Sequence, residues 1–448
     1  MIDILRVAIV GAGPAGAFAA DALQKAHSGP LQIDFIEKMP APFGLIRYGV
    51  APDHPRIKAI VDTLTKLLSS PSVRFFGNVE LGCDIQLDDI RGVYDAVILA
   101  TGASRDRSLT IPGCDLIGNY GAADFVGWYD GNPDSPRSWP LDTPDVAVIG
   151  AGNVALDITR ILAKSAAELA STEIPGNVEH GLEHSQVQRV HLFSRRGHLD
   201  TKFSPLEARE LGESENFSVS VTGIDSGDGR SAPTRQAQQV ADVMSSYLEH
   251  PQPTAPRQVI LHFHQRPVRI DGVDGRVNAI VTERTRVDEH GNVVDTGDLT
   301  TTPVNAVYRA VGYRSEAVAA VPFDNSRYIV PNQAGRVVGV DGVHLSGLYV
   351  TGWIKRGPTG LIGQTRADAR ETVTNLLDDI AHDAKAVPAA GDLVSVLQRA
   401  SIDYTTWDGW TALDAHERSL GQERRRGRTK VVDRDAMVAI STTGSSDK

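Results

Sequence analysis

The hydrophobic positions of this chain fall into short apolar runs that alternate with stretches of helical period. Leu5 to Val10 is a mainly apolar run that ends in glycines, the pattern of a strand buried on both faces. Pro14 to Ala26 then reads as a helix with proline in its first turn, where a missing N–H costs nothing. Leu31 to Glu37 supplies a second strand, so a βαβ unit opens the chain. After a Gly/Pro-rich loop (Pro40 to Pro55), Ile57, Ile60, Val61, Leu64, Leu67 and Leu68 recur at helical spacing. Asp95 to Ala100 is another buried strand, ending in Thr101-Gly102. Pro112 to Pro144 reads as loop, with turn signals at Asn132-Pro133 and Ser135-Pro136.

Asp145 to Ile149 starts a second βαβ unit, with a helix expected from Val154 to Ala170. The crossover to the strand Arg189 to Phe193 is long, and Glu173 to Ser185 reads as a surface insertion. Val259 to Thr282 and Asn305 to Val311 read as β structure. Gly347 to Thr351 is a further strand, followed by a Gly-rich turn and a helix from Thr365 to Ile380. No short-period repeat is present, but the βαβ unit occurs twice.

Each βαβ unit carries a glycine-rich turn between strand and helix. The first is Gly11-Ala12-Gly13-Pro14-Ala15-Gly16, with GxGxxG spacing. One glycine turns the chain, one lets backbone approach a pyrophosphate, and the third lets helix and strand pack closely. The helix N-terminus offers free N–H groups and a positive partial charge to phosphates. Glu37 ends the next strand about 20 residues on, where a carboxylate accepts ribose hydroxyls and repels a 2′-phosphate. This combination points to FAD.

The second turn is Gly150-Ala151-Gly152-Asn153-Val154-Ala155, in which alanine is an accepted third position. At the end of its following strand the chain reads Ser194-Arg195-Arg196-Gly197. Two guanidinium groups there are suited to clamping a 2′-phosphate, the mark of NADP. Two dinucleotide sites in one chain imply an oxidoreductase in which hydride moves between nicotinamide C4 and flavin N5, the chemistry belonging to the cofactors.

Composition narrows the class. At 448 residues the chain allows two or three domains, and 41% hydrophobic with 23% charged residues suits a soluble globular protein. A net charge of -11 argues against general nucleic-acid binding. The dense basic run Arg424, Arg425, Arg426 and Arg428 reads as a solvated face. With only Cys83 and Cys114, no CxxC pair, zinc set or iron–sulfur ligand set can be built, so no metal is expected and redox work needs a bound cofactor. Two thiols suit a reducing compartment. No run of ~18 apolar residues exists to insert in a membrane, and the start Met1-Ile2-Asp3-Ile4-Leu5-Arg6 leads straight into a strand. A cytoplasmic protein is expected.

Several longer motifs carry a family resemblance: Val10 to Gly16, Pro42-Phe43-Gly44-Leu45-Ile46-Arg47-Tyr48-Gly49-Val50-Ala51-Pro52-Asp53-His54-Pro55, Gly152 to Asp157, and Thr351-Gly352-Trp353-Ile354-Lys355-Arg356-Gly357-Pro358-Thr359-Gly360. The chain resembles the adrenodoxin-reductase-like ferredoxin–NADP reductases, especially bacterial members. The resemblance implies an α/β fold with two dinucleotide-binding (Rossmann-like) three-layer domains. The FAD domain is discontinuous, over residues 1–104 and 314–448, with an NADP domain inserted at 105–313. Ala15, Glu37, Leu45 and Leu81 would line the FAD site, with Trp353, Gly360, Leu361 and Ile362 near the ring. Ala151, Gly152, Asn153, Val154, Arg195, Arg196 and Glu207 would hold NADP. His54, Asp157 and Glu210 are implied near the reacting rings, and Arg209 as a docking point for a small acidic iron–sulfur ferredoxin. A monomer or weak dimer is expected.

Competing readings are a flavin monooxygenase, an NADPH-oxidising subunit like that of glutamate synthase, and a non-catalytic redox sensor. The missing cysteine-rich segment disfavours the second, and the missing CxxC excludes a disulfide reductase. Trp407 and Trp410 are expected to serve packing.

Overall fold

The computed structural model describes residues 4–224, 231–249, 255–360, 362–382 and 391–443. The chain divides into two compact units. The first comprises Met1–Arg105, Asp130–Asp134 and Tyr313–Lys448, the second Asp106–Tyr129 and Ser135–Gly312. No helix among the described residues is long and apolar enough to cross a membrane.

The first unit is built on a seven-stranded sheet. Its five parallel strands run in the order His344–Val350, Ala96–Leu99, Leu5–Val10, Leu31–Glu37 and Val73–Gly77. Two short antiparallel strands, Asn332–Gln333 and Arg336–Val338, extend the His344–Val350 edge. Burial on both faces explains why LRVAIV is apolar apart from Arg6. Leu5, Val7 and Ile9 join a core with Phe18, Leu23 and Leu376, whereas Ala8 and Val10 join another with Leu99, Leu348, Leu393 and Leu397. The helix Pro14–Ala26 and the long helix Ile362–His382 cover the first of these faces. Trp410 packs edge-on to Phe43 with ring centroids 5.6 Å apart, and Trp407 edge-on to Phe75 at 6.4 Å. Both tryptophans serve packing, as expected.

Three expectations for this unit need correction. The expected single helix after Pro55 is two, Pro55–Lys58 and Ile60–Leu68, separated at Ala59. The final helical span runs Ile362–His382, longer at both ends than read. The arginine run is not a uniformly solvated face. Arg424 and Arg425 are exposed, but Arg426 is buried, and Arg428 pairs with Glu417 at 2.9 Å and with Asp414. Buried Glu417 and half-buried Asp414 on the helix Trp407–Glu423 draw Arg428 inward, which a charge count cannot reveal.

The second unit holds an all-parallel six-stranded sheet in the order Asn119–Gly121, Ala306–Arg309, Asp145–Ile149, Arg189–Phe193, Arg257–His262 and Phe217–Thr222. A three-stranded antiparallel sheet, Gln265–Val273, Arg276–Val287 and Val293–Pro303, packs on it through Ile270, Val277 and Ile280, which meet Ile149, Phe193 and Val307. Three stretches differ from the reading above. Residues 112–144 contain the helix Ala122–Tyr129, with Phe125, Val126, Trp128 and Tyr129 buried. Its first turn is held by a distant residue, Asp106, whose two carboxylate oxygens accept from Ala123 N at 3.0 Å. Burial pushes that carboxyl up to about 6.

The helix expected over Val154 to Ala170 spans Asn153–Ala163 and restarts as Ala166–Leu169, because Ser165 and Glu168 form a capping box. The expected surface insertion is a packed helix, Gly176–Glu183, that buries Val178 and Leu182.

On the sheet of this unit, His191 and His262 lie on adjacent parallel strands with Nδ1 and Nε2 3.0 Å apart. The His262 ring stacks on Phe193, and Asp145 and Arg189 flank His191. Burial lowers the pKa of both histidines, and that of His262 falls to about 4. An imidazole held neutral below its unfolded pKa of about 6.5 stabilises the fold above that pH. The unfolded chain binds more protons between about 6.5 and 4, so stability falls as pH falls through this window. We expect a loss of roughly 2 kcal/mol between about pH 7 and pH 5. His262→Phe should flatten that slope in urea titrations. An unchanged slope would remove the pair as its source.

Candidate functional site

In the first unit, the glycine turn links Leu5–Val10 to Pro14–Ala26. Gly11 has φ +107°, and a Cβ there would lie 2.5 Å from the Ala100 carbonyl oxygen. The helix N-cap is Gly13, which has no side chain to satisfy the first-turn N–H groups. Those donors are therefore available to an anion. Gly44, at φ +50°, passes close by: a Cβ on it would lie 3.2 Å from Gly13 Cα. It begins the helix Leu45–Tyr48, which brings half-buried Leu45 close to the turn.

Glu37 is buried at the end of its strand, with Oε2 accepting from Ala12 N at 2.7 Å and Oε1 from Met39 N at 2.9 Å. Burial raises its pKa, against the pull of those two N–H groups and of Lys38 and Arg434. Each oxygen keeps a second lone pair, which fits a ribose hydroxyl.

Ala15 meets the C-terminal motif directly, since a Cβ on Gly352 would stand 2.6 Å from the Ala15 Cβ. Asp368 Oδ2 accepts from Gly352 N at 2.6 Å, and its other oxygen pairs with the buried Lys355 at 2.6 Å. This clamp fixes the start of the helix Trp353–Arg356, where Trp353 is half-buried. Sequence reasoning missed Asp368, which lies 16 residues after Gly352. Gly360 is exposed, Leu361 and the Ile362 side chain lie outside the described residues, and Leu81 is half-buried beside the second core. His54 is buried as the N-cap of the helix Pro55–Lys58.

In the second unit the arrangement repeats. Gly150 has φ +149°, and a Cβ there would run into the Ala310 carbonyl oxygen. Gly152 caps the helix Asn153–Ala163 with no side chain, and the place its Cβ would occupy is open space. Ala151, Gly152, Asn153 and Val154 are all half-buried at this rim. The following stretch is tied to the turn: Lys202 N donates to Ala151 O at 2.8 Å, and Ser204 N to Asn153 Oδ1 at 3.0 Å. These tethers were not read from the sequence.

Arg195 is exposed and Arg196 half-buried, on a loop shaped by Ser194. The Ser194 hydroxyl donates to Arg196 O at 2.8 Å and accepts from Arg196 N at 3.3 Å. Thr285 anchors Arg195 O at 2.8 Å. The backbone is thus held, and the Arg195 guanidinium faces solvent. Asp157 and Glu207 are buried and meet at Arg160, whose guanidinium nitrogens lie 2.7 Å and 3.4 Å from their carboxylates. Arg160 was also missed, although its i+3 spacing from Asp157 was legible. Ser204 caps the helix Pro205–Glu210, placing Glu207 in its first turn and half-buried Glu210 at its end. Arg209 is exposed on the same helix.

Both turns fit a dinucleotide: an uncapped helix N-terminus at each, a buried acid at the first, and open space before Gly152 with a guanidinium pair at the second. Cys83 and Cys114 are free thiols, one in each unit.

A model of the pyridine nucleotide-disulphide oxidoreductase family matches residues 5–213. The chain is 38% identical to the NADPH-ferredoxin reductase FprA of Mycobacterium leprae, over 98% of each protein. It is 36% identical to the mitochondrial NADPH:adrenodoxin oxidoreductase of Arabidopsis thaliana, over 98% of this chain and 95% of that one. The structure of Mycobacterium tuberculosis FprA in complex with NADPH matches with a TM-score of 0.91 at 35% identity, covering 98% of this chain and 100% of that one. With likeness running through nearly the whole length, the chain belongs to the adrenodoxin-reductase-like family of NADPH–ferredoxin reductases.

Proposed function

We propose that this protein is an FAD-dependent ferredoxin–NADP reductase that oxidises NADPH and delivers electrons singly to a small iron–sulfur ferredoxin. The observation that carries this reading is the repeated strand–glycine turn–helix, with an acid after the first turn and two arginines after the second. Bound FAD supplies a hydride acceptor and a one-electron donor.

The chain's own residues bind and orient. Amides around Gly11, Gly13, Ala15 and Gly16 would hold the FAD pyrophosphate, and Glu37 would accept its ribose hydroxyls. Leu45, Leu81, Trp353 and the segment from Gly360 through Leu361 to Ile362 would border the flavin. Ala151 to Val154 would hold the NADP pyrophosphate, Arg195 and Arg196 its 2′-phosphate, and Glu207 the same ligand. His54, Asp157 and Glu210 are assigned near the reacting rings. For Asp157 and Glu207 the buried Arg160 pairing makes a fixed charge platform a better role than proton transfer.

The arginine pair gives the sharpest test. Replacing Arg195 and Arg196 with alanine should raise KM for NADPH at least roughly tenfold and leave KM for NADH nearly unchanged, since only NADPH carries the extra phosphate. An equal change for both would refute the 2′-phosphate role. The activity itself is checked by NADPH-dependent cytochrome c reduction that requires added ferredoxin. Rapid reduction without it would favour another electron acceptor.

Arg209 is the proposed docking point for an acidic ferredoxin. Arg209→Ala should weaken ferredoxin reduction while NADPH-driven dye reduction persists, and equal loss of both would remove that role. A cytoplasmic location and a monomeric or weakly dimeric state complete the proposal.

A further inference from the structure

The helix Gly176–Glu183 carries His180, Glu183 and, just after its last residue, His184. All three side chains are exposed, and one ligand atom from each lies within 4.8 Å of the other two. The two imidazole rings have centroids 4.4 Å apart, and His180 Nδ1 is 3.9 Å from Glu183 Oε2. From this geometry we infer that the second unit carries a surface site for a borderline divalent cation, with zinc as its representative, ligated by His180, Glu183 and His184.

The hydrogen bonding supports a ligand role. His184 Nδ1 lies 2.8 Å from the His180 carbonyl oxygen. A carbonyl only accepts, so Nδ1 carries the proton and Nε2 is left with its lone pair free for a metal. This is how ligating histidines are ordinarily oriented, through the other ring nitrogen on a backbone carbonyl.

The base is rigid. Val178 and Leu182 on the opposite helix face are buried, and Gly181 lies so close to Trp128 that a Cβ there would come within 2.9 Å of its ring. Asn177 Nδ2 donates to Arg137 O at 2.8 Å, pinning the first turn. Zinc would draw the three donors to about 2.0–2.2 Å from one ion, and exposed side chains on one helical turn can rotate toward it.

Two imidazoles and one carboxylate select zinc, nickel or copper over magnesium or calcium, which require all-oxygen shells. Three protein ligands leave a fourth position for water. The sequence analysis expects no metal because cysteine spacing alone is weighed there and these residues fall in the expected surface insertion.

The test uses the full-length flavoprotein, stripped with chelator and titrated calorimetrically with zinc chloride in a non-chelating buffer. One saturable site is expected, weakened about tenfold or more by His180→Ala or His184→Ala and lost in the double variant. Binding should also weaken as the solution is acidified, because metal ligation requires deprotonated donors. Hydrogen exchange at residues 180–186 should slow on zinc addition. NADPH-driven dye reduction and thermal melts of the metal-free variants should match the parent, because the substituted side chains are exposed. Absence of saturable uptake would overturn the assignment, as would uptake that persists undiminished in the double variant.

Discussion

Replacing Glu417 with alanine is expected to cost about 3–5 kcal/mol of folding free energy, the penalty for stranding a buried charge. Glu417 is fully buried on the helix Trp407–Glu423 and grips Arg47 from two sides, Oε1 to one guanidinium nitrogen at 2.6 Å and Oε2 to another at 3.0 Å. Its oxygens also accept from Arg428 at 2.9 Å and from Val431 N at 2.9 Å. Burial is the largest influence and works against the Arg47 charge, yet Glu417 and Tyr48 together outweigh it and hold the guanidinium pKa above its ordinary value. A guanidinium does not give up its proton inside a protein, so Arg47 stays ionised when its partner is removed. It sits 5.1 Å from the centroids of both Tyr48 and Trp410, so the rings anchor it where water cannot reach. The measurement is chemical denaturation of the parent and variant, with Glu417→Gln as the shape-preserving control. A change below about 1 kcal/mol would mean that the site relaxes enough to hydrate Arg47.

The second large effect is expected at Gly11. An alanine there meets a backbone carbonyl, which cannot step aside as a side-chain tip does, at a φ that L-residues rarely adopt. Strain of about 1–3 kcal/mol, added to overpacking of similar size, should displace the turn and weaken FAD binding at least about tenfold. The readout is flavin absorbance per protein after gel filtration, with melting temperature recorded alongside. A Gly11→Ala protein that keeps its full flavin complement and parental melt would show that the turn is not the anchor.

What the sequence made legible was whatever is encoded locally. Apolar runs locate the strands at Leu5–Val10, Leu31–Glu37, Asp145–Ile149 and Arg189–Phe193, since burial on both faces leaves few polar positions. The two glycine turns were readable because only glycine tolerates the conformations at Gly11 and Gly150. Where the determinant lies far along the chain, the reading fails. The helix Ala122–Tyr129 is apolar nearly all round and receives its cap from Asp106, 17 residues earlier, so neither period nor cap was visible. Arg47 and Glu417 stand 370 residues apart, and nothing near either residue announces the pair. The histidines of Gly176–Glu183 failed differently: their spacing was plain, but the glycine and polar residues around them masked the helix on which that spacing has meaning.

The Arg47–Glu417 pairing also bears on how the protein is made. The edge of Ala96–Leu99 that receives His344–Val350 stays open until those residues have been made, and Arg47 does not meet Glu417 until the ribosome has passed residue 417. Domains that close late expose unpaired strand edges to aggregation while synthesis continues. Nascent chains arrested before that point should therefore be protease-sensitive in their amino-terminal portion, and chaperone demand during translation should end abruptly once the carboxylate emerges.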